Sequence, residues 1–163
     1  MIPSMTLQLT AGIDDGKGGI LDRVEVRQGS EVILVARLQN LGKKVLSGVI
    51  NATPLSHGGY KVEVRDREGR PVNLHTIGMC GTMSPLMEHE IFDVEPGGAV
   101  PILVGANFYF TPPGSYEARI RYEAHESDRV AEKDLDPVVV RRLKHFWTGT
   151  LHSNWVPVTI LPR

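Results

Sequence analysis

The chain has 163 residues, 41% of them apolar and 23% charged, which is the composition of one globular domain with one core and excludes wholesale disorder. Its 18 lysines and arginines balance 19 aspartates and glutamates, so no global field draws it to nucleic acid or to an anionic membrane, and neither partner is expected. A single cysteine, Cys80, rules out an intrachain disulfide and zinc sites built on four cysteines or on two cysteines and two histidines.

No run reaches the ~18 apolar residues of a membrane span. The opening MIPSMTLQLT lacks a basic region followed by an apolar one, so no signal peptide is expected there. The lone cysteine fits a reducing cytosol and equally fits exported bacterial domains without disulfides, so the compartment stays open.

In chain order, Met5, Leu7 and Leu9 alternate with polar residues and predict a first strand over Met5 to Thr10. A glycine-rich loop follows at Asp14 to Gly19, then an extended stretch from Ile20 to Arg27 with Val24 and Val26 in phase. Ser30 to Gln39 is the strongest central strand, with Val32, Leu34, Ala36 and Leu38 on one face. Ile33 and Val35 on its other face predict cover on both sides for part of its length. Asn40 to Lys44 is a turn, and Val45 to Thr53 is extended but interrupted by Gly48. Tyr60 to Asp66 and Arg70 to His75 form a hairpin that faces Val62 and Val64 against Val72 and Leu74. Thr76 to Glu90 is a methionine-rich loop. Phe92 to Val94 is a short strand, and Pro96-Gly97-Gly98 turns into another from Ala99 to about Val104.

Phe108 to Tyr122, FYFTPPGSYEARIRY, reads as strand, Pro-Pro-Gly turn and strand, with Tyr116, Ala118, Ile120 and Tyr122 on one face. One segment breaks the β pattern. Asp136 is a good N-cap with Pro137 at the first helical position, and Val139, Val140, Leu143, Phe146 and Trp147 share a helical face. Basic residues gather toward its end, matching the helix dipole. A short helical insertion is predicted near 136–147, before a final strand from Thr150 to Leu161. No internal repeat or linker divides the chain, and one domain over 1–163 is expected.

Three pieces carry a family resemblance: Phe92-x-Val94-x-Pro96-Gly97, Tyr109 with Gly114-x-Tyr116, and Gly149-Thr150-Leu151-His152-Ser153-Asn154 opening the last strand. Together they resemble bacterial immunoglobulin-like β-sandwich domains of the type found beside secreted metalloproteases and in the intracellular proteinase-inhibitor family. The resemblance implies an all-β antiparallel immunoglobulin-like sandwich. It gives Tyr116 the place of the corner tyrosine, bonded back to the turn backbone, and Ala118 the place of a second cysteine. The cysteine pair and a tryptophan on the third strand are missing. The motifs are fold motifs, and fold analogy carries little about activity.

The richest reactive cluster is the loop with His75, Met79, Cys80, Met83, Met87 and His89. Thioether, thiolate and imidazole suit copper(I), yet the spacing is unspecific and methionine also fills irregular gaps under a long loop. Cys80 has no histidine at a diagnostic nucleophile spacing and reads as an inert thiol. His89-Glu90 opens like a zincin motif, but Asp93 stands where the second histidine belongs. Gly16-Lys17-Gly18-Gly19 lacks phosphate-loop spacing. Asp14 and Asp15 are too few for calcium and read as a solvated turn. The sequon Asn51-Ala52-Thr53 is treated as accidental. Arg141, Arg142 and Lys144 read as a solvated helix face. Trp147 and Trp155 pack on the core end or, if both are exposed, mark a protein-contact patch.

No catalytic, cofactor-binding or metal-ligating residue is assigned, and no enzymatic activity is expected. The leading expectation is a binding or structural module that presents loops, or its 132–147 insertion, to another protein of unknown identity. The alternative, from the resemblance alone, is a protease inhibitor acting through an exposed loop near 76–90. A copper-binding domain comes third.

Overall fold

The computed structural model describes residues 7–49, 59–74, 91–124, 136–143 and 147–163. Twelve strand segments and one short helix occur among them. The first strands are β1 (Leu7–Asp14), β2 (Ile20–Leu21), β3 (Val24–Arg27), β4 (Glu31–Asn40) and β5 (Leu46–Val49). Next come β6 (Gly59–Arg65), β7 (Pro71–Val72), β8 (Ile91–Val94), β9 (Ala99–Asn107) and β10 (Gly114–Ala124). The helix α1 (Pro137–Leu143) precedes β11 (Gly149–His152) and β12 (Val156–Leu161).

Two sheets form the body. One has the order β2-β1-β4-β9; the other runs β3-β12-β10-β6-β7, with β11 also on β10. β5 and β8 pair separately. Every pairing is antiparallel except β3 on β12, which is parallel. The first extended stretches therefore split between the sheets, β1 beside β4 and β3 beside the last strand. Together with β4–β9 in one layer and β6–β10–β12 in the other, this is the strand arrangement of an immunoglobulin-like sandwich.

Alternation builds the core. Leu9, Ile13, Leu34, Ala36, Leu38 and Ile102 of the smaller sheet meet Val64, Ala118, Ile120, Tyr122, Val158 and Ile160 of the larger one, all buried. Two expected strands are broken. Ile20 to Arg27 divides where the chain changes sheet. The final strand divides at a bulge: Arg121 faces His152 and Ala118 faces Val156, so residues 153–155 lie opposite only 119–120.

Other boundaries also move. β1 runs through Ile13, which is buried, instead of ending at Thr10. β9 extends to Asn107, and Phe108 to Phe110 is a turn, not a strand, with the Thr111 N–H donating to the Phe108 carbonyl at 3.1 Å. The hairpin keeps the expected Val64–Val72 pair, but β7 is only two residues long. The helix is described over Pro137–Leu143, and Trp147, expected within it, is not helical. Its start is as read: Asp136 accepts from the Val138 N–H at 2.7 Å. Trp147 lies beyond the helix, its N–H donating to the Ser47 carbonyl at 3.0 Å.

The corner tyrosine forms. The Tyr116 hydroxyl donates to the Pro112 carbonyl at 2.7 Å. Gly114 is needed there for its φ of 155° rather than to avoid a clash, because an added Cβ would stand an ordinary 3.6 Å from the Tyr116 ring. Gly48 is a different case: a Cβ there would meet the Phe92 ring at 2.7 Å and the Tyr122 hydroxyl at 2.9 Å. The expected interruption does not occur: β5 runs through Gly48, which pairs with Phe92, and a glycine stands there because two rings occupy its side-chain space.

Candidate protein-contact face

The outer face of the larger sheet carries the most organised set of functional side chains among the described residues. On β6 the outward residues are Lys61, Glu63 and Arg65; on β10 they are Glu117, Arg119, Arg121 and Glu123. Register places Glu117 opposite Arg65, Arg119 opposite Glu63 and Arg121 opposite Lys61. The first two pairs close as ion pairs, Arg65–Glu117 at 3.1 Å and Arg119–Glu63 at 2.7 Å. The third sets like charges face to face, and Arg121 turns away from Lys61 to Glu63 at 3.6 Å and to Glu123. The Arg121 Nε is buried with no hydrogen-bond partner among the described residues.

The bulge adds Trp155 to this face. Arg65 stacks on its ring at 4.0 Å and Arg119 at 4.4 Å, so a half-buried indole lies under two guanidinium groups that are themselves tied to glutamates. The same bulge sends Asn154 to the other sheet. Its Oδ1 accepts from the Ala11 N–H at 2.9 Å and its Nδ2 donates to the Ala11 carbonyl at 3.0 Å. The amide imitates one rung of a strand on the edge of β1, which β2 covers only at Ile13 and Asp14. Ser153 locks the bulge, accepting from the Ile120 N–H at 2.9 Å.

The two tryptophans part company. Trp147 packs on the core, stacked on Tyr122 at 5.6 Å, and Tyr122 stacks on Tyr60 at 4.6 Å. The Tyr60 hydroxyl is buried without a hydrogen-bond partner among the described residues. Desolvation, helped by the charge of Tyr122, pushes its ionisation far above the usual tyrosine range.

The sequence candidates fall as follows. The loop residues His75, Met79, Cys80, Met83, Met87 and His89 lie outside the described residues, as do the sequon Asn51-Ala52-Thr53, Glu90, Lys144 and Phe146. Asp14 and Asp15 serve their own loop: Asp14 accepts from the Gly16 N–H, and Asp15 from the N–H groups of Lys17 and Gly19. Asp93 accepts from the Ser47 hydroxyl at 2.6 Å. Arg141 is exposed on the helix. Among the described residues no three histidines, cysteines or carboxylates gather as a metal site, and no helix is long and apolar enough to cross a membrane.

Sequence reasoning missed the Trp155 clamp, the Asn154 amide and a third device at Asn40. Asn40 is fully buried. It donates to the Lys44 and Val94 carbonyls at 2.7 and 2.8 Å and accepts from the Gly42 N–H at 2.9 Å, stitching the β4 turn to β8. The sequence showed which residues of this strand, Tyr116, Ala118, Ile120 and Tyr122, share one face; it did not show the bulge that brings Trp155 onto the other.

These features define the class of protein, an immunoglobulin-like β-sandwich. No protein-family model matches the chain, and no curated protein matches it. Among solved structures it is similar to the CARDB domain of the PF1109 protein from Pyrococcus furiosus, determined in complex with di-metal ions. The identity is 13%, covering 96% of this chain and 94% of that one, with a TM-score of 0.36. A likeness of that size carries no argument about sites or ligands.

Proposed function

We propose that residues 1–163 form a single, non-enzymatic domain that binds another protein through the outer face of its larger sheet. The observation that carries this reading is the Trp155 ring packed against the guanidinium groups of both Arg65 and Arg119. Tryptophan and arginine dominate interface hot spots, because a large flat ring and a planar cation bury much area with little loss of conformational freedom. Here both are held in place before any partner arrives: each arginine is anchored by a glutamate, and the ring is fixed by a bulge. Such preorganisation lowers the ordering cost of association.

The test is a comparison of variants. Wild-type chain immobilised against lysate of the source organism is expected to retain a protein that Trp155→Ala and Arg119→Ala lose. Retention that both variants leave intact would move the site elsewhere. Turnover of a substrate by the purified chain would overturn the non-enzymatic reading.

Two narrower readings attach to the loop near 76–90. Protease inhibition predicts loss of activity in a panel of serine, cysteine and metalloproteases. Copper handling predicts micromolar copper(I) binding that falls on substitution of Met83 and Cys80, by the ligand chemistry of thioether and thiolate.

A further inference from the structure

The smaller sheet has an edge of the opposite character. β9 is the last strand of the order β2-β1-β4-β9, and its outer side is unpaired among the described residues. Three hydrogen bonds show which of its residues face that side. The Asn40 N–H donates to the Gly98 carbonyl, and Asn40 lies one step beyond the Gln39–Ala99 pair of the β4–β9 ladder. Ala11, opposite Ala36, gives its polar groups to Asn154 and not to β4. Even-numbered residues of β4 and β9 therefore bond to each other. The odd-numbered residues of β9 turn their N–H and C=O groups outward: Ala99, Leu103, Gly105 and Asn107, with Pro101 offering only its carbonyl.

Leu103 is the middle residue of β9 and is 66% exposed. It continues an apolar row on the outer face of the sheet. Ile20 lies over Gly12, Gly12 pairs with Val35 and Val35 pairs with Leu103.

We propose that β9 pairs antiparallel with β9 of a second copy about a two-fold axis at Leu103, joining two four-stranded sheets into one. The register is self-complementary in three ways. Leu103 faces the partner's Leu103 and extends the apolar row across the axis. Pro101, which lacks a donor, faces the partner's Gly105, so the missing ladder bond falls opposite the smallest residue. Third, the charges match. The Glu31 carboxylate lies over Gly105, its Oε1 only 2.6 Å from where a Cβ would stand, and Arg37 stands beside Pro101 in the ladder. Pairing thus sets Arg37 two interstrand spacings, about 10 Å, from the partner's Gly105, within reach of the partner's Glu31 carboxylate above it. Both residues are exposed, and neither forms an ion pair among the described residues. The two-fold axis supplies this contact twice.

The full chain is followed by sedimentation velocity from about 5 to about 500 μM, the range in which an interface of less than standard size dissociates. The expected result is a shift from one chain to two across the series. Leu103→Lys places like charges face to face on the edge and is expected to hold the chain as a monomer with an unchanged thermal melt. Arg37→Glu and Glu31→Arg are each expected to weaken the dimer several-fold, and the double reversal to recover it. A wild type that stays monomeric throughout, a dimer that Leu103→Lys leaves intact, or a double reversal without recovery would overturn the proposal.

Discussion

The two outer faces of this sandwich are built by the same alternation and end in opposite states. On the larger sheet, two of three cross-strand charge pairs are opposite and neutralise each other locally, and one indole lies under two cations. On the smaller sheet the outer row is apolar, and Val35 is only 7% exposed although it points away from the core. Alternation sets which side chains face inward; it leaves the outward ones free to differ, and these two faces differ in whether their charges find partners within the chain. Glu63, Glu117, Arg65 and Arg119 do, whereas Glu31 and Arg37 make no ion pair among the described residues.

Three substitutions and one double-mutant cycle probe that contrast. Val35→Ala should behave as a core truncation despite its outward direction, costing about 2 kcal/mol in urea unfolding. A loss near zero would show that the apolar row has no packing of its own. Asn154→Ala removes both bonds to Ala11 and should cost about 1.5 kcal/mol; hydrogen exchange at Ala11 should rise with it, since no other described group covers that amide.

Tyr60→Phe should have the opposite sign. It deletes a buried hydroxyl without a partner and is expected to stabilise the fold by about 1 kcal/mol. The phenol stays protonated when folded and ionises near pH 10 when unfolded. Its contribution is thus fully present below about pH 10 and is lost as pH rises, by about 1.4 kcal/mol per pH unit. The phenylalanine variant should lack this component of alkaline destabilisation. Smallest is the Arg65–Glu117 pair. Both side chains are more than a third exposed, and a double-mutant cycle should return less than about 0.5 kcal/mol. A larger value would mean that the charged face stabilises the fold as well as organising Trp155.

Much of the fold was legible because burial imposes a period. Leu34, Ala36 and Leu38, and Ala118, Ile120 and Tyr122, recur at every second position and are all buried as read. The corner tyrosine was legible because a Pro-Pro-Gly turn two residues before Tyr116 fixes its reach. The helix start at Asp136 was legible from its cap. What resisted reading was long-range. Nothing local shows that Ile20–Leu21 and Val24–Arg27 join different sheets, since both are equally extended. Nor does the run Ser153-Asn154-Trp155 announce a bulge, which exists only relative to the count of residues on β10. Phe108 was read as part of a strand because its neighbours are aromatic; it is buried, but at a turn, with Tyr109 and Phe110 exposed beside it. The candidate contact face depends on the bulge, so its charges could be read from the strands while its tryptophan could not.

The contrast between the faces is tested most directly by a photoreactive phenylalanine analogue at Pro157, exposed beside Glu117 on the larger sheet, and in a second chain at Pro101 on the β9 edge. Irradiated in cells of the source organism, the Pro157 position should form an adduct with a different protein, and Trp155→Ala should abolish it. The Pro101 position should cross-link to a second copy of the chain. An absent or purely self-linked product from Pro157, or an adduct that survives Trp155→Ala, would contradict the assignment of partner recognition to the charged face.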